Sequence, residues 1–101
     1  MGKEQARKIV EEAITKDKVV VFSKTYCPYC KMAKGSLDKV GAKYVVIELD
    51  NRNDGGAIQD ALAEITGART VPRVFISGKC IGGGSETQNL EKSGQLATMV
   101  A

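Results

Sequence analysis

Val19-Val20-Val21-Phe22 constrains the fold of this chain more than any other stretch. It is a continuous apolar run, and three of its four residues are β-branched. An apolar run without alternation reads as a strand covered on both faces, as in a parallel sheet, and such a strand needs helices on either side. The flanking sequence supplies them. Between Glu4 and Lys16, residues Ala6, Ile9, Val10, Ala13 and Ile14 recur at helical spacing. Downstream, Pro28 suits the first turn of a helix, Ala33, Leu37 and Val40 share one face, and Gly41 closes the segment. A second strand is expected over Tyr44–Leu49. A helix capped by Asp54 follows, with Ile58, Ala61, Leu62 and Ile65 inward and Gly67 at its end. Val74-Phe75-Ile76 and Lys79-Cys80-Ile81 flank Ser77-Gly78, a hairpin signature. Ser85-Glu86-Thr87-Gln88 matches a capping box and opens a further helix, which Gly94 interrupts.

This order predicts an α/β class. The strand–helix–strand unit forms a right-handed parallel crossover. The hairpin adds antiparallel strands, giving a four-stranded mixed sheet flanked by helices. A length of 101 residues fits a single domain spanning residues 1–101. With 43% hydrophobic and 27% charged residues, the composition is globular rather than disordered. No apolar run approaches the roughly 18 residues of a membrane span, and the first residues lack the apolar stretch of a secretory signal. A net charge of +3, with scattered basic residues, gives no basis for nucleic-acid binding and mildly favours an anionic small substrate.

The chain has three cysteines and no histidine. So few cysteines without a signal peptide indicate a reducing compartment, where a Cys-x-x-Cys pair is catalytic or metal-binding rather than a structural staple. Cys27-Pro28-Tyr29-Cys30 follows the first strand and opens a helix. The unpaired N–H groups and partial positive charge of a helix start stabilise a thiolate. Cys27, at the very end, is the expected nucleophile. Cys30, one turn further in and more buried, is the expected resolving thiol, and Lys24 and Lys31 add positive charge. A structural zinc site takes four nitrogen or sulfur ligands, more than a monomer of this sequence offers. A c-type haem site needs histidine where Lys31 stands. An inert pair of core cysteines is out of keeping with a helix start. Cys80 has no partner at motif spacing. It reads as a half-buried structural cysteine, with a regulatory or intermolecular thiol as the alternative.

Three motifs then align in order: Ser23-Lys24-Thr25-Tyr26-Cys27-Pro28-Tyr29-Cys30, Thr70-Val71-Pro72 and Ile81-Gly82-Gly83. Together they resemble the dithiol class of glutaredoxins, over nearly the whole chain. The Cys-Pro-Tyr-Cys centre separates that class from thioredoxins, which typically carry Cys-Gly-Pro-Cys. The resemblance implies a thioredoxin-like fold, glutathione as reducing co-substrate, no metal, and a cytoplasmic setting. It also implies a glutathione site. Lys24 holds the glycine carboxylate, Gln59 stands beside it, and Arg69 adds charge. Val71, before a cis Pro72, offers its backbone to the cysteinyl part. Gly83, Gly84, Ser85 and Glu86 receive the γ-glutamyl group, and Tyr29 and Thr70 complete the set. The residues themselves agree. Gly82-Gly83-Gly84 permits close backbone approach, Ser85 opens a helix whose N–H groups suit a carboxylate, and Glu86 can accept from an ammonium. Many relatives carry a cysteine and an aspartate where Gly84 and Glu86 stand, and the longer Glu86 bears on the γ-glutamyl contact.

The implied reaction is reduction of protein disulfides and of glutathione mixed disulfides (deglutathionylation) by a Cys27 thiolate. The partners are glutathione, glutathionylated proteins and protein disulfides, met by a monomer without nucleic acid or membrane. Two alternatives stand beside it. One is an iron–sulfur cluster carrier bridging two monomers through Cys27 and glutathione. The other is a thioredoxin-type reductase fed by a flavoprotein.

Overall fold

Side-chain alternation along β1 (Val19–Ser23) divides the interior in two. In the computed structural model, which describes residues 2–101, Val20 and Phe22 enter one core with Ala6, Val10, Ile58, Leu62 and Phe75. Val19 and Val21 enter another with Ala33, Leu37, Val74, Ile76 and Leu96. Every residue of β1 is buried, as the unbroken apolar run requires. A fully buried Val, Leu, Ile or Phe contributes about 1.5–3 kcal/mol, so the central strand is the main anchor of the domain.

The first core lies under α1 (Lys3–Lys16) and α3 (Gly55–Thr66). The second lies under α2 (Pro28–Lys39) and the C-terminal pair α4 (Gly84–Ser93) and α5 (Gln95–Val100). The remaining strands are β2 (Val45–Glu48), β3 (Arg73–Ile76) and β4 (Lys79–Gly82). They complete a four-stranded sheet in the order β2-β1-β3-β4. β1 and β2 run parallel, and the other pairs are antiparallel. Phe22 meets Phe75 edge to face at 5.7 Å across the β1–β3 pairing. The β3–β4 hairpin turns through Ser77 and Gly78, both at positive φ, as a two-residue turn matched to strand twist demands.

Three local expectations are corrected. The second strand stops at Glu48, because Leu49 drops into the core and opens a single 3-10 turn, Leu49–Asn51. Tyr44, ahead of the strand, donates its hydroxyl to Asp38 Oδ1 at 2.8 Å. Asp54 does sit at the cap position of α3, but its carboxylate accepts from Arg52 at 2.7 Å instead of capping the helix. The capping box at Ser85–Gln88 does not form. Gly83 is the cap residue of α4, and Glu86 reaches back to accept the Gly83 N–H at 2.6 Å. Only this half of a box is possible, since glycine has no side chain to return the bond. Among the described residues, no helix is long and apolar enough to cross a membrane.

Candidate active site

β1 hands the chain to a short loop, Lys24–Tyr26, and α2 starts at Pro28 with Cys27 as its cap. Pro28 occupies the first helical position, where the missing N–H would have had no partner. The Cys27 N–H donates to the Lys24 carbonyl at 3.2 Å, which fixes the turn. The Cys27 sulfur accepts the Cys30 N–H at 3.2 Å and stands 3.7 Å from the Val71 carbonyl oxygen, to which its thiol donates. Cys27 is half-buried, whereas Cys30 is 0% exposed one turn deeper. No disulfide joins any of the three cysteines in this structure. Burial, with the Cys27 side chain beside it, pushes the Cys30 thiol up. Contacts from the Lys24 backbone and the Ser23 hydroxyl pull the other way without winning. The arrangement sets an accessible sulfur on a helix N–H in front of a shielded sulfur whose burial disfavours its charged form.

Opposite the dithiol, the Val71–Pro72 peptide is cis. It leads into a cleft of about 350 Å³ bordered by Tyr29, Thr70–Arg73 and Gly83–Glu86. Eight residues expected from the sequence to bind one ligand therefore do converge: Tyr29, Thr70, Val71, Pro72, Gly83, Gly84, Ser85 and Glu86. The glycines serve the protein's own packing as well as ligand approach. A Cβ on residue 84 would lie 2.6 Å from the Tyr29 carbonyl oxygen, so only glycine lets the start of α4 sit against the start of α2. Gly82, at φ +117°, leaves room for the Glu86 side chain, which a Cβ would meet at 2.7 Å. The Gly83 N–H, then the Glu86 N–H and the charge of Arg73, hold the Glu86 carboxyl below its usual range.

Arg73 is the cleft residue that the sequence reading passes over. Its Nε donates to the Pro72 carbonyl at 3.0 Å, so its guanidinium lies along the cleft wall. The available signal is a cation directly after Thr70-Val71-Pro72.

Lys24, Gln59 and Arg69 do not border this cleft. Gln59 is buried and donates to the Arg69 carbonyl at 3.0 Å, tethering α3 to the segment that enters Thr70. Arg69 is exposed and pairs with Asp60 at 2.9 Å. Lys24 is half-buried in the loop ahead of Cys27, near Asp50. Asp50 is a second residue absent from the sequence reading. It accepts the Thr25 N–H at 3.0 Å and the Thr25 hydroxyl. Cys80 lies half-buried on β4 opposite Phe75 and packs on the first core, as a structural cysteine does. Among the described residues, no group of three or more His, Cys, Asp or Glu side chains converges as a ligand set.

The glutaredoxin family profile matches residues 19–81. A glutaredoxin of Ricinus communis is 56% identical over 90 residues, covering 89% of this chain and 88% of that protein. The crystal structure of oxidized glutaredoxin 2 from Chlamydomonas reinhardtii superposes with a TM-score of 0.94 at 50% identity, over 98% of this chain and 94% of that one. A buckwheat glutaredoxin–glutathione complex superposes with a TM-score of 0.93 at 45% identity, over 97% and 89%. The architecture is thus the thioredoxin-like fold of these structures.

Proposed function

The chain belongs to the glutaredoxin family, and on that premise we propose that Cys27 is its nucleophile, Cys30 its resolving thiol and the cleft beyond Val71 its glutathione site. The protein is a glutathione-dependent thiol–disulfide oxidoreductase. Family membership weighs against the thioredoxin-type alternative. The observation that carries the residue assignment is the half-exposed Cys27 sulfur on the Cys30 N–H, 3.7 Å from the Val71 carbonyl at the mouth of the cleft.

The substrates we assign are glutathionylated proteins first and protein disulfides second. The Cys27 thiolate attacks the glutathionyl sulfur, and the protein thiolate leaves and takes up a proton. Cys27 then carries glutathione. A second glutathione thiolate attacks that glutathionyl sulfur, releasing oxidised glutathione and restoring the Cys27 thiolate. On a protein disulfide, Cys27 forms the mixed disulfide, and Cys30 loses its proton and attacks the Cys27 sulfur. That expels the substrate thiol and leaves a Cys27–Cys30 disulfide for two glutathiones to reduce. In this reading Val71 offers its backbone to the cysteinyl part, and Gly83, Gly84, Ser85 and Glu86 receive the γ-glutamyl group. Tyr29, Thr70 and Pro72 shape the wall. Lys24 takes the glycine carboxylate, while Gln59 and Arg69 hold the segment beside it. The protein acts as a monomer in a reducing setting such as the cytoplasm.

The test is a coupled assay on a glutathionylated peptide with glutathione, glutathione reductase and NADPH. Turnover is expected, and Lys24→Gln raises KM more than it lowers kcat, because it removes ground-state binding. Reduction of protein disulfides without any turnover of the glutathionylated peptide would overturn the substrate assignment.

A further inference from the structure

Outside the dithiol and its cleft, one carboxylate is committed entirely to the loop that delivers the nucleophile. Asp50 Oδ1 accepts the Thr25 N–H at 3.0 Å, and Oδ2 accepts the Thr25 hydroxyl. Thr25 follows Lys24 directly, and the Cys27 N–H closes the same turn on the Lys24 carbonyl at 3.2 Å. Two main-chain bonds and one hydroxyl bond therefore set where Lys24 and Cys27 stand.

Asp50 is itself anchored from behind. It sits in the 3-10 turn Leu49–Asn51, whose Leu49 is 2% exposed in the first core. The backbone of Gly55, at the start of α3, presses so close that a Cβ there would lie 2.1 Å from the Leu49 carbonyl oxygen. The loop is thus braced against α3 and the core rather than hung from β1 alone. Both ends of the brace, Thr25 and Asp50, are on the surface, so its value lies in position and charge rather than in buried area. The Thr25 hydroxyl, above all, holds the Asp50 carboxyl low, and the charge of Lys24 adds to this.

We propose that Asp50 is a positioning residue for the reaction: its two bonds to Thr25 fix the Lys24–Cys27 loop, and its negative charge offsets Lys24 at the entrance to the site. The proposal rests on the reading of Cys27 as nucleophile and Lys24 as carboxylate binder. Asp50 touches neither the reacting sulfur nor the cleft.

The experiment uses the full chain and two kinds of substitution. Asp50→Asn keeps an acceptor for the Thr25 N–H and removes the charge, whereas Asp50→Ala removes both. Thr25→Ser keeps the hydroxyl, and Thr25→Val removes it. Charge is read by alkylating Cys27 with anionic iodoacetate and neutral iodoacetamide, with the modified peptide identified by mass. The ratio of the two rates cancels the thiolate fraction. Asp50→Asn raises that ratio about two- to threefold at low salt, and the gain fades near 1 M salt. Position is read by kcat/KM on a glutathionylated peptide. Asp50→Ala lowers it about fivefold, mainly in kcat, as expected when a reacting group is misplaced. Asp50→Asn and Thr25→Ser stay within about twofold of the parent, and adding Thr25→Val to Asp50→Ala costs nothing more, because both remove one interaction.

An unchanged alkylation ratio with unchanged kcat/KM overturns the proposal. So does a loss in Asp50→Asn equal to that in Asp50→Ala and matched by a fall in melting temperature, which marks a merely structural role. Lys24→Gln separates this from the underlying reading. If it leaves both KM and the alkylation ratio at parental values, the carboxylate-binding role of Lys24 fails, while the Thr25–Asp50 coupling in kcat still decides the positioning role.

Discussion

At the start of α2 a sulfur accepts a backbone N–H, from Cys30 at 3.2 Å; at the start of α4 a carboxylate accepts one, from Gly83 at 2.6 Å. The two starts touch, because Gly84 lies directly against the Tyr29 carbonyl. Both present the positive end of a helix to the same side of the sheet. They differ in where the capping group comes from. On α2 it is the cap residue itself, half-exposed and able to form a bond to an incoming sulfur. On α4 it is the third helical residue folded back, a group with no covalent chemistry to offer. In the proposed reading, one helix end carries the group that reacts. The other is partly neutralised by its own chain, through the Glu86 carboxylate. On the proposed reading, the same backbone device serves chemistry in one place and recognition in the other.

Removing the reactive cap breaks the comparison most. Cys27→Ser lowers turnover of every substrate to the rate of uncatalysed exchange, because a hydroxyl is not ionised near neutral pH. Cys30→Ser leaves the cap in place and spares the glutathionylated peptide within about twofold, since external glutathione resolves that intermediate. It loses most reduction of protein disulfides. Assaying both variants on one glutathionylated peptide and one protein disulfide checks the pair. A dead Cys30→Ser and an active Cys27→Ser on the peptide would reverse the two roles.

A wedge between the two helix starts has the next largest effect. Gly84→Val drives a branched side chain into the Tyr29 carbonyl, which is backbone and cannot swing aside. Overpacking of this kind costs about 1–3 kcal/mol. Denaturant unfolding should show that loss, together with a raised KM, because the α4 wall of the cleft moves. Unchanged stability and KM would mean that the close approach of the two helices carries no energetic weight.

Much of this was legible in the residues. β1, the helices α1, α2 and α3 and the dithiol followed from apolar spacing and from Pro28 at a helix start, and α4 from a capping motif, all local signals. The Thr70-Val71-Pro72 segment and the glycines of the cleft came from motif order. What escaped depends on contacts distant in sequence or on rival local bonds. Asp50 lies far along the chain from the Thr25 it holds, so no spacing pattern announces it. Asp54 had the right position but the wrong partner, because Arg52 competes for its carboxylate. The capping motif at Ser85–Gln88 fitted the sequence as well as the true one. The packing of Gly84 under Tyr29 starts the helix earlier and makes Glu86 the residue that folds back.

The smallest expected effect falls on Glu86 and isolates the α4 side of the comparison. Its carboxyl is held below the usual range, first by the Gly83 N–H, so the folded chain binds that proton more weakly than the unfolded chain does. Glu86 therefore adds stability above the ordinary carboxylate range, and this contribution is lost as pH falls through its own lowered value. Glu86→Gln keeps an oxygen for the Gly83 N–H but has no proton to titrate. At neutral pH and low salt the parent should be more stable than this variant by about 0.3–1 kcal/mol, the usual worth of an exposed charge at a helix start. The gap should close in acid and shrink in salt. Asp50 and Asp54 are also held low, by Thr25 and Arg52, so the parent's acid limb alone does not report Glu86, and the difference between the two proteins does. Urea unfolding of both across the acid range makes the measurement. A gap that persists at low pH would assign the cap to the shape of the hydrogen bond rather than to charge, and the α4 start would then resemble the neutral thiol form of the α2 start more closely than its thiolate.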